Sequence, residues 1–186
     1  MTLDANAVAL TQANASKVIS ADRFVLRPLR SSDAGLMSFY TGDRRVADMT
    51  TSIPHPLPPG SSEALIAKLT APASTEVAWA LDGTRHGGSE LLGVIFLEKM
   101  DRDQSEISYW VAPAFWNTGF ASEAVSALVE ANPLENATMF GSVFQDNPIS
   151  ARVLTNAGFE YLGDAEAFSV ARIAKVPTWT YLKKYR

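Results

Sequence analysis

The stretch "EISYWVAPAFWNTGFASEAVSALVEANP", residues 106–133, restricts the fold of this chain more than any other. Glu106–Val111 reads as a strand, and Ala112-Pro113 ends it, because proline has no N–H to give to a ladder. A loop follows and turns into a helix at Gly119. Phe120, Ala121, Ala124, Val125, Leu128 and Val129 recur at helical spacing as one apolar face, and Asn132-Pro133 stops the helix. The first amides of such a helix have no intrahelical partner. With the helix dipole they can bind an anion without any cationic side chain. That matters here, because "WNTGFA" (116–121) contains neither Lys nor Arg. Gly119 lets the backbone approach a ligand and Ala121 keeps the entrance small. Simple packing at a helix start satisfies the same pattern.

Upstream, "RFVLRPL" (23–29) suits a first strand, and Ser31, Ser32 and Asp33 offer N-caps for a helix through Leu36, Phe39 and Tyr40. "IPHPLPPG" (53–60) cannot be regular structure, since its prolines fix φ and remove donors. Glu63–Leu69 reads as a short helix. Val77–Leu81 and Leu91–Lys99 are strands joined across "DGTRHGG" (82–88), and "DRDQ" (101–104) leads into Glu106–Val111, which makes an antiparallel meander. After the central helix, "MFGSVFQ" (139–145) is a strand and "NPISARVLTNAGF" (147–159) a helix, with Pro148 in its first turn and Gly158 as its stop. Segments 159–163, 167–173 and 178–184 read as further strands. Strands before and after two late helices predict an α+β domain.

A chain of 186 residues is long enough for one domain with its own core. The formal net charge of −4 disfavours non-specific binding to nucleic acid or to an anionic membrane. Cysteine is absent, which removes disulfides, thiolate metal sites and a cysteine nucleophile, and fits a reducing cytoplasm. Residues 1–20 read as a flexible N-terminal tail: Asp4 stands where a signal peptide would carry positive charge, and no continuous apolar run follows. The two histidines, His55 and His86, have no metal-site spacing. No phosphate-loop lysine motif, dinucleotide fingerprint or G-x-S-x-G elbow occurs.

The loop and the later "QDNPISARVLTNAGF" together resemble the GNAT superfamily of acyl-CoA-dependent N-acetyltransferases. The first is similar to that family's Q/R-x-x-G-x-G/A loop and the second to its N-x-x-S/A…G-F helix. "ADRFVLRPLRSSDA" and "EISYWVAPAFWNTGFASEAV" are most like the branch of ribosomal-protein N-terminal acetyltransferases, where a Trp commonly opens the loop. The resemblance runs over roughly residues 20–186. It implies a mixed, mostly antiparallel twisted sheet with splayed central strands flanked by helices, forming a single domain over 21–186.

The resemblance also implies site residues. The main chain of Tyr109, Trp110 and Val111 would pair with the pantetheine arm of acetyl-CoA like an added strand. The loop from Trp116 through Asn117, Thr118, Gly119, Phe120, Ala121 and Ser122 would hold the pyrophosphate. Asn147 and Ser150 would sit at the pantetheine end. Transfer to an amine needs a proton acceptor, an amide facing the developing oxyanion and relief for the departing thiolate. Glu106 would be the base, Val111 or Trp110 N–H the oxyanion donor, and Ser150 the hydrogen-bond donor to the thiolate. Many relatives carry a Tyr acid seven residues after the motif Asn; here that position is Leu154.

Simpler readings stand beside these. Glu106 could be a solvated edge carboxylate, Ser150 could bond its own backbone, and Trp110 and Trp116 could be packing groups. His55 could line the acceptor pocket or lie on the surface, and His86 sits at a hairpin tip. Segments 31–70 and 164–177 would shape the acceptor site, where Arg172 and Lys175 could meet an acidic acceptor. The expected protein is a cytoplasmic enzyme, monomer or homodimer, with a peptide N-terminus or small amine as acceptor and no metal. The rival is a non-catalytic acyl-CoA-binding regulatory module.

Overall fold

The structure, a computed structural model, describes residues 13–14 and 16–185. Most of the tail read over 1–20 lies outside these residues; its last two, Ile19–Ser20, form β1 and pair with Val25 and Leu26. The strands that follow are β2 (Val25–Pro28), β3 (Glu76–Asp82), β4 (Gly93–Met100), β5 (Gln104–Val111), β6 (Thr138–Phe144), β7 (Glu160–Ser169) and β8 (Ala174–Lys184). The helices are α1 (Ala34–Thr41), the short α2 (Arg44–Ala47), α3 (Ser61–Thr70), α4 (Phe120–Ala131) and α5 (Pro148–Asn156).

Among the described residues the strands make one eight-stranded sheet in the order β1-β2-β3-β4-β5-β6-β8-β7. Every neighbouring pair is antiparallel except β5 and β6, which run parallel. Alternation of side chains along the strands divides the core into two layers. One face presents Trp79, Ile95, Leu97, Ile107 and Val111 to the apolar stripe of α4 and to Val153 and Leu154 of α5. The other presents Ala80, Val94, Phe96 and Trp110 to Met37 of α1 and Ile66 of α3. This is the mixed α+β architecture, helices on both faces of a mostly antiparallel sheet, that the sequence predicts.

Two local readings need correcting. Asp33 does not cap α1 with its side chain. It is buried, accepts from Arg30 N (2.7 Å), and grips the Arg27 guanidinium at 2.8 and 2.9 Å. The carboxylate faces back to Arg30 and into the core instead of toward the amides of α1, because a buried arginine left unpaired is far more costly than a missing cap. The C-terminal region also forms two long strands instead of three short ones. Segment 167–173 straddles their hairpin turn, which has no Gly, Pro or Asn to announce it and instead holds Ile173 at φ 51°. Tertiary bonds fix that turn: Val170 N–H donates to Thr51 O (3.0 Å) and Arg172 Nε to Asp48 O (2.7 Å).

Candidate active site

The parallel neighbours β5 and β6 begin in register, Gln104 opposite Thr138, and stay paired to Ile107 opposite Gly141. Beyond that point β5 continues to Val111 still bonded to β4, while β6 is bonded to β8. The two strands therefore part, and a gap opens between Ser108–Val111 and Ser142–Phe144. Ala112 N–H donates to Leu92 O (2.9 Å) on the β4 side. Backbone groups alternate sides along a strand, so Trp110 is turned toward β4 as well, and Tyr109 and Val111 face the gap. Trp110 thus has no amide to offer there, and its ring is buried in the core layer of α1 and α3. Of the two amides expected to meet an oxyanion, only that of Val111 is suitably turned.

Below the gap lies the loop. Pro113–Phe115 makes a single tight turn, and Trp116 Nε1 donates to Val111 O (2.7 Å), bracing the loop against the end of β5. Asn117 and Gly119 both have left-handed backbones, φ 60° and 82°. Glu123 N–H makes the first intrahelical bond, to Gly119 O (3.0 Å), so the amides of Phe120, Ala121 and Ser122 stand ahead of it without a carbonyl one turn back. Gly119, the N-cap, supplies no side chain to satisfy them. This cradle matches the donor set that a pyrophosphate requires, and the gap above it matches an extended pantetheine arm.

Asn147 caps α5: its Oδ1 accepts from Ser150 N (3.3 Å), and its Nδ2 donates to Ser150 Oγ (3.0 Å). Tyr109 Oη donates to Ser150 O (3.4 Å), and burial pushes the phenol up to about 12, so it stays protonated. Leu154 is fully buried against Gly141. The place where relatives carry a Tyr acid is core here.

On the α1–α3 face the gap opens into a cleft of about 730 Å³. Met37 and Thr41 of α1, Thr50–Pro54, Leu65 of α3 and Ala165–Ala167 of β7 form its walls, so segments 31–70 and 164–177 both contribute. Ile53, Pro54 and Leu57 of the proline-rich segment line it. Half-buried His55 is not among the lining residues, and His86 is exposed in its turn. Glu106 projects into the cleft beside the gap. Burial raises its carboxyl above the usual glutamate range; a hydrogen bond from Ser142 opposes the shift and the charge of Glu98 adds to it.

Sequence reading missed the charge of this cleft. Glu76, Glu98 and Glu106 stand in one lateral row, Glu76 opposite Glu98 and Glu98 opposite Glu106. Lys68 is the one basic residue among the described residues lining the cleft, and it is 3.3 Å from Glu76. Arg172 and Lys175, expected to meet an acidic acceptor, are not among the lining residues, and each is paired with a carboxylate at the rim. Arg172 binds Asp146 (2.6 Å) and lies over Phe144, and Lys175 binds Glu166 (3.1 Å). Only cross-strand register could have shown the row, and periodicity within each strand does not encode register.

A sheet that parts beside an amide cradle and opens on a carboxylate-lined cleft has the layout that the sequence resemblance implies for an acyl-CoA-dependent transferase. The model of the acetyltransferase (GNAT) domain matches residues 23–160, and the chain belongs to that family. Over 91 residues it is 32% identical to an uncharacterised N-acetyltransferase of Bacillus subtilis, YoaA, a match covering 47% of this chain and 50% of that protein. The chain thus spans about half the length of this curated relative. Solved structures share the fold. RimL, a ribosomal L7/L12 alpha-N-protein acetyltransferase solved with coenzyme A, aligns with a TM-score of 0.77 at 13% identity, covering 90% of this chain and 98% of that one. Spermidine N-acetyltransferase from Vibrio cholerae, solved with CoA and spermine, aligns with a TM-score of 0.70 at 18% identity, covering 86% and 95%. Among the described residues no helix is long and apolar enough to cross a membrane.

Proposed function

We propose that this protein transfers the acetyl group of acetyl-CoA to a primary amine by direct attack within a ternary complex. The observation that carries the reading is the parting of β5 and β6 at Ile107 and Gly141, with Glu106 at the edge of the gap and the cleft beyond it. The loop amides of Asn117–Ser122 hold the pyrophosphate, and Tyr109 and Val111 pair with the pantetheine arm. Acetyl-CoA, when bound, supplies an acyl carbon activated as a thioester.

Glu106 accepts the proton that the acceptor ammonium must lose, directly or through water. Its raised pKa brings its basicity closer to that of the amine than an exposed carboxylate would. Val111 N–H faces the developing oxyanion. Ser150 Oγ already accepts from Asn147, so its own proton is free to be donated to the departing sulfur.

The charge of the cleft points to an acceptor that is itself cationic. Glu76, Glu98 and Glu106 against Lys68 attract a small amine or peptide N-terminus bearing a second positive charge and repel an acidic one. In this reading one catalytic domain spans residues 21–186 and works in the cytoplasm, as a monomer or homodimer.

The deciding experiment is a CoA-release screen across mono-, di- and polyamines, N-terminal peptides and acidic amines. Thiol release with cationic acceptors is the expected result. Tight CoA binding without release from any amine would leave a regulatory acyl-CoA-binding module instead.

A further inference from the structure

The loop Trp116–Ala121 has no basic residue, and the first turn of α4 carries a carboxylate, Glu123. A negative charge there suits the helix dipole, but it would repel an anion brought to the neighbouring amides. The fold answers with an arginine from 100 residues earlier. Arg23 N–H donates to Glu123 Oε1 and its Nε to Oε2, both at 2.7 Å. Its Nη1 donates to Thr118 O at 2.8 Å, and its guanidinium carbon lies 4.4 Å from the Phe120 ring centroid. Nη2 comes so close to Gly119 that a Cβ there would lie 3.3 Å from it. One guanidinium thus touches Thr118, Gly119, Phe120 and Glu123, while its side chain stays 47% exposed.

We propose that Arg23 is a positioning residue of the pyrophosphate cradle, cancelling the charge of Glu123 and holding the Thr118 carbonyl so that the loop presents amides to the anion. The inference rests on the acetyl-CoA reading given above. A carbonyl swung toward the mouth would set a lone pair against a phosphate oxygen, and the bond to Nη1 prevents that. Thr118, whose carbonyl the clamp holds, lies between the left-handed backbones of Asn117 and Gly119. The cation that the loop lacks in its own sequence arrives through the tertiary fold.

A purely structural arginine and a charge-cancelling one differ in their response to salt. If Arg23 only held the fold, its loss would weaken CoA binding equally at all ionic strengths. If it cancels Glu123, its loss leaves a repulsion that salt screens. Calorimetric titration of CoA into the full chain at low and high NaCl separates the two, using Arg23→Met, Glu123→Gln and the double variant. Arg23→Met is expected to weaken CoA about tenfold at low salt, the size of one uncompensated charge near the ligand, and less at high salt. Adding Glu123→Gln should recover most of that loss. Unchanged affinity in Arg23→Met overturns the proposal, as does a loss that neither salt nor the second substitution relieves. If Arg23→Met does not fold, Glu123→Gln alone decides: binding at low salt as tight as wild type or tighter supports the proposal, and weaker binding overturns it. Wild type that fails to bind CoA sinks the acetyl-CoA reading itself, which is a separate result.

Discussion

Glu98 and Glu106 stand directly opposite each other across β4 and β5. Like charges in such a pair are destabilising, and Glu76 extends the row on the far side of Glu98. A sheet that tolerates this arrangement in a half-buried cleft gives up stability for a local negative potential, and a cationic amine acceptor is the partner that would relieve it.

Glu106→Gln removes the proposed base and keeps the shape of the cleft. Turnover with a good acceptor should fall by roughly 10²–10⁴-fold, with CoA affinity nearly intact. The wild-type rate should rise with pH through a midpoint above the ordinary glutamate range, because the carboxyl must first lose its proton, and the variant should lack that limb. Steady-state kinetics across pH measures both; an unaltered rate removes Glu106 from the mechanism.

The same group gives a stability signature. As pH rises, glutamate in the unfolded chain loses its proton first, while the folded Glu106 still holds its own, so folding stability declines across the window from the usual value of 4.5 upward. Glu106→Gln should therefore unfold at a higher temperature than wild type above that window and lose its advantage below it. Thermal melts at both ends of the range test the sign.

Glu98→Gln leaves the base in place and removes one charge of the row. We expect KM for a dicationic amine to rise by roughly three- to tenfold, with kcat and the KM for a neutral-tailed amine little changed. Equal effects on both acceptors would deny the row a role in selection.

Arg27 is held between Asp82 (2.6 Å) and Asp33 (2.8 Å), all three buried. Arg27→Met strands two carboxylates, and loss of about 3–5 kcal/mol is expected in urea unfolding. The bond to Asp33 foremost, and that to Asp82, raise the guanidinium above its normal value against the cost of burial. Burial pushes Asp82 up, but Thr84 and Arg27 outweigh it and hold the carboxyl below its usual range. The contribution of Asp82 is therefore full above that range and fades as pH falls through the lowered value.

Gly119→Val should abolish CoA binding. A valine at φ 82° is strained, and its Cβ would press on Arg23. Calorimetry reads the loss directly; retained affinity would remove the loop from the cofactor site.

The strand–loop–helix unit, the stop at Gly158 and the place of Pro148 in the first turn of α5 were all legible in the sequence, because each depends on residues within a turn or two of one another. The β7–β8 hairpin was misjudged for the opposite reason. Its turn has no local signal and is held by segment 48–51, more than a hundred residues away.

Local chemistry therefore determined the elements and the loop proposed as the phosphate cradle. Tertiary structure alone decided where the charges converge. Arg23 reaches Glu123 because the turn between β1 and β2 lies against the start of α4, and Glu76, Glu98 and Glu106 meet because register sets them opposite one another. It also neutralised Arg172 and Lys175, by giving each a carboxylate of its own. Charge acts through space, and a sequence orders its charges only along the chain.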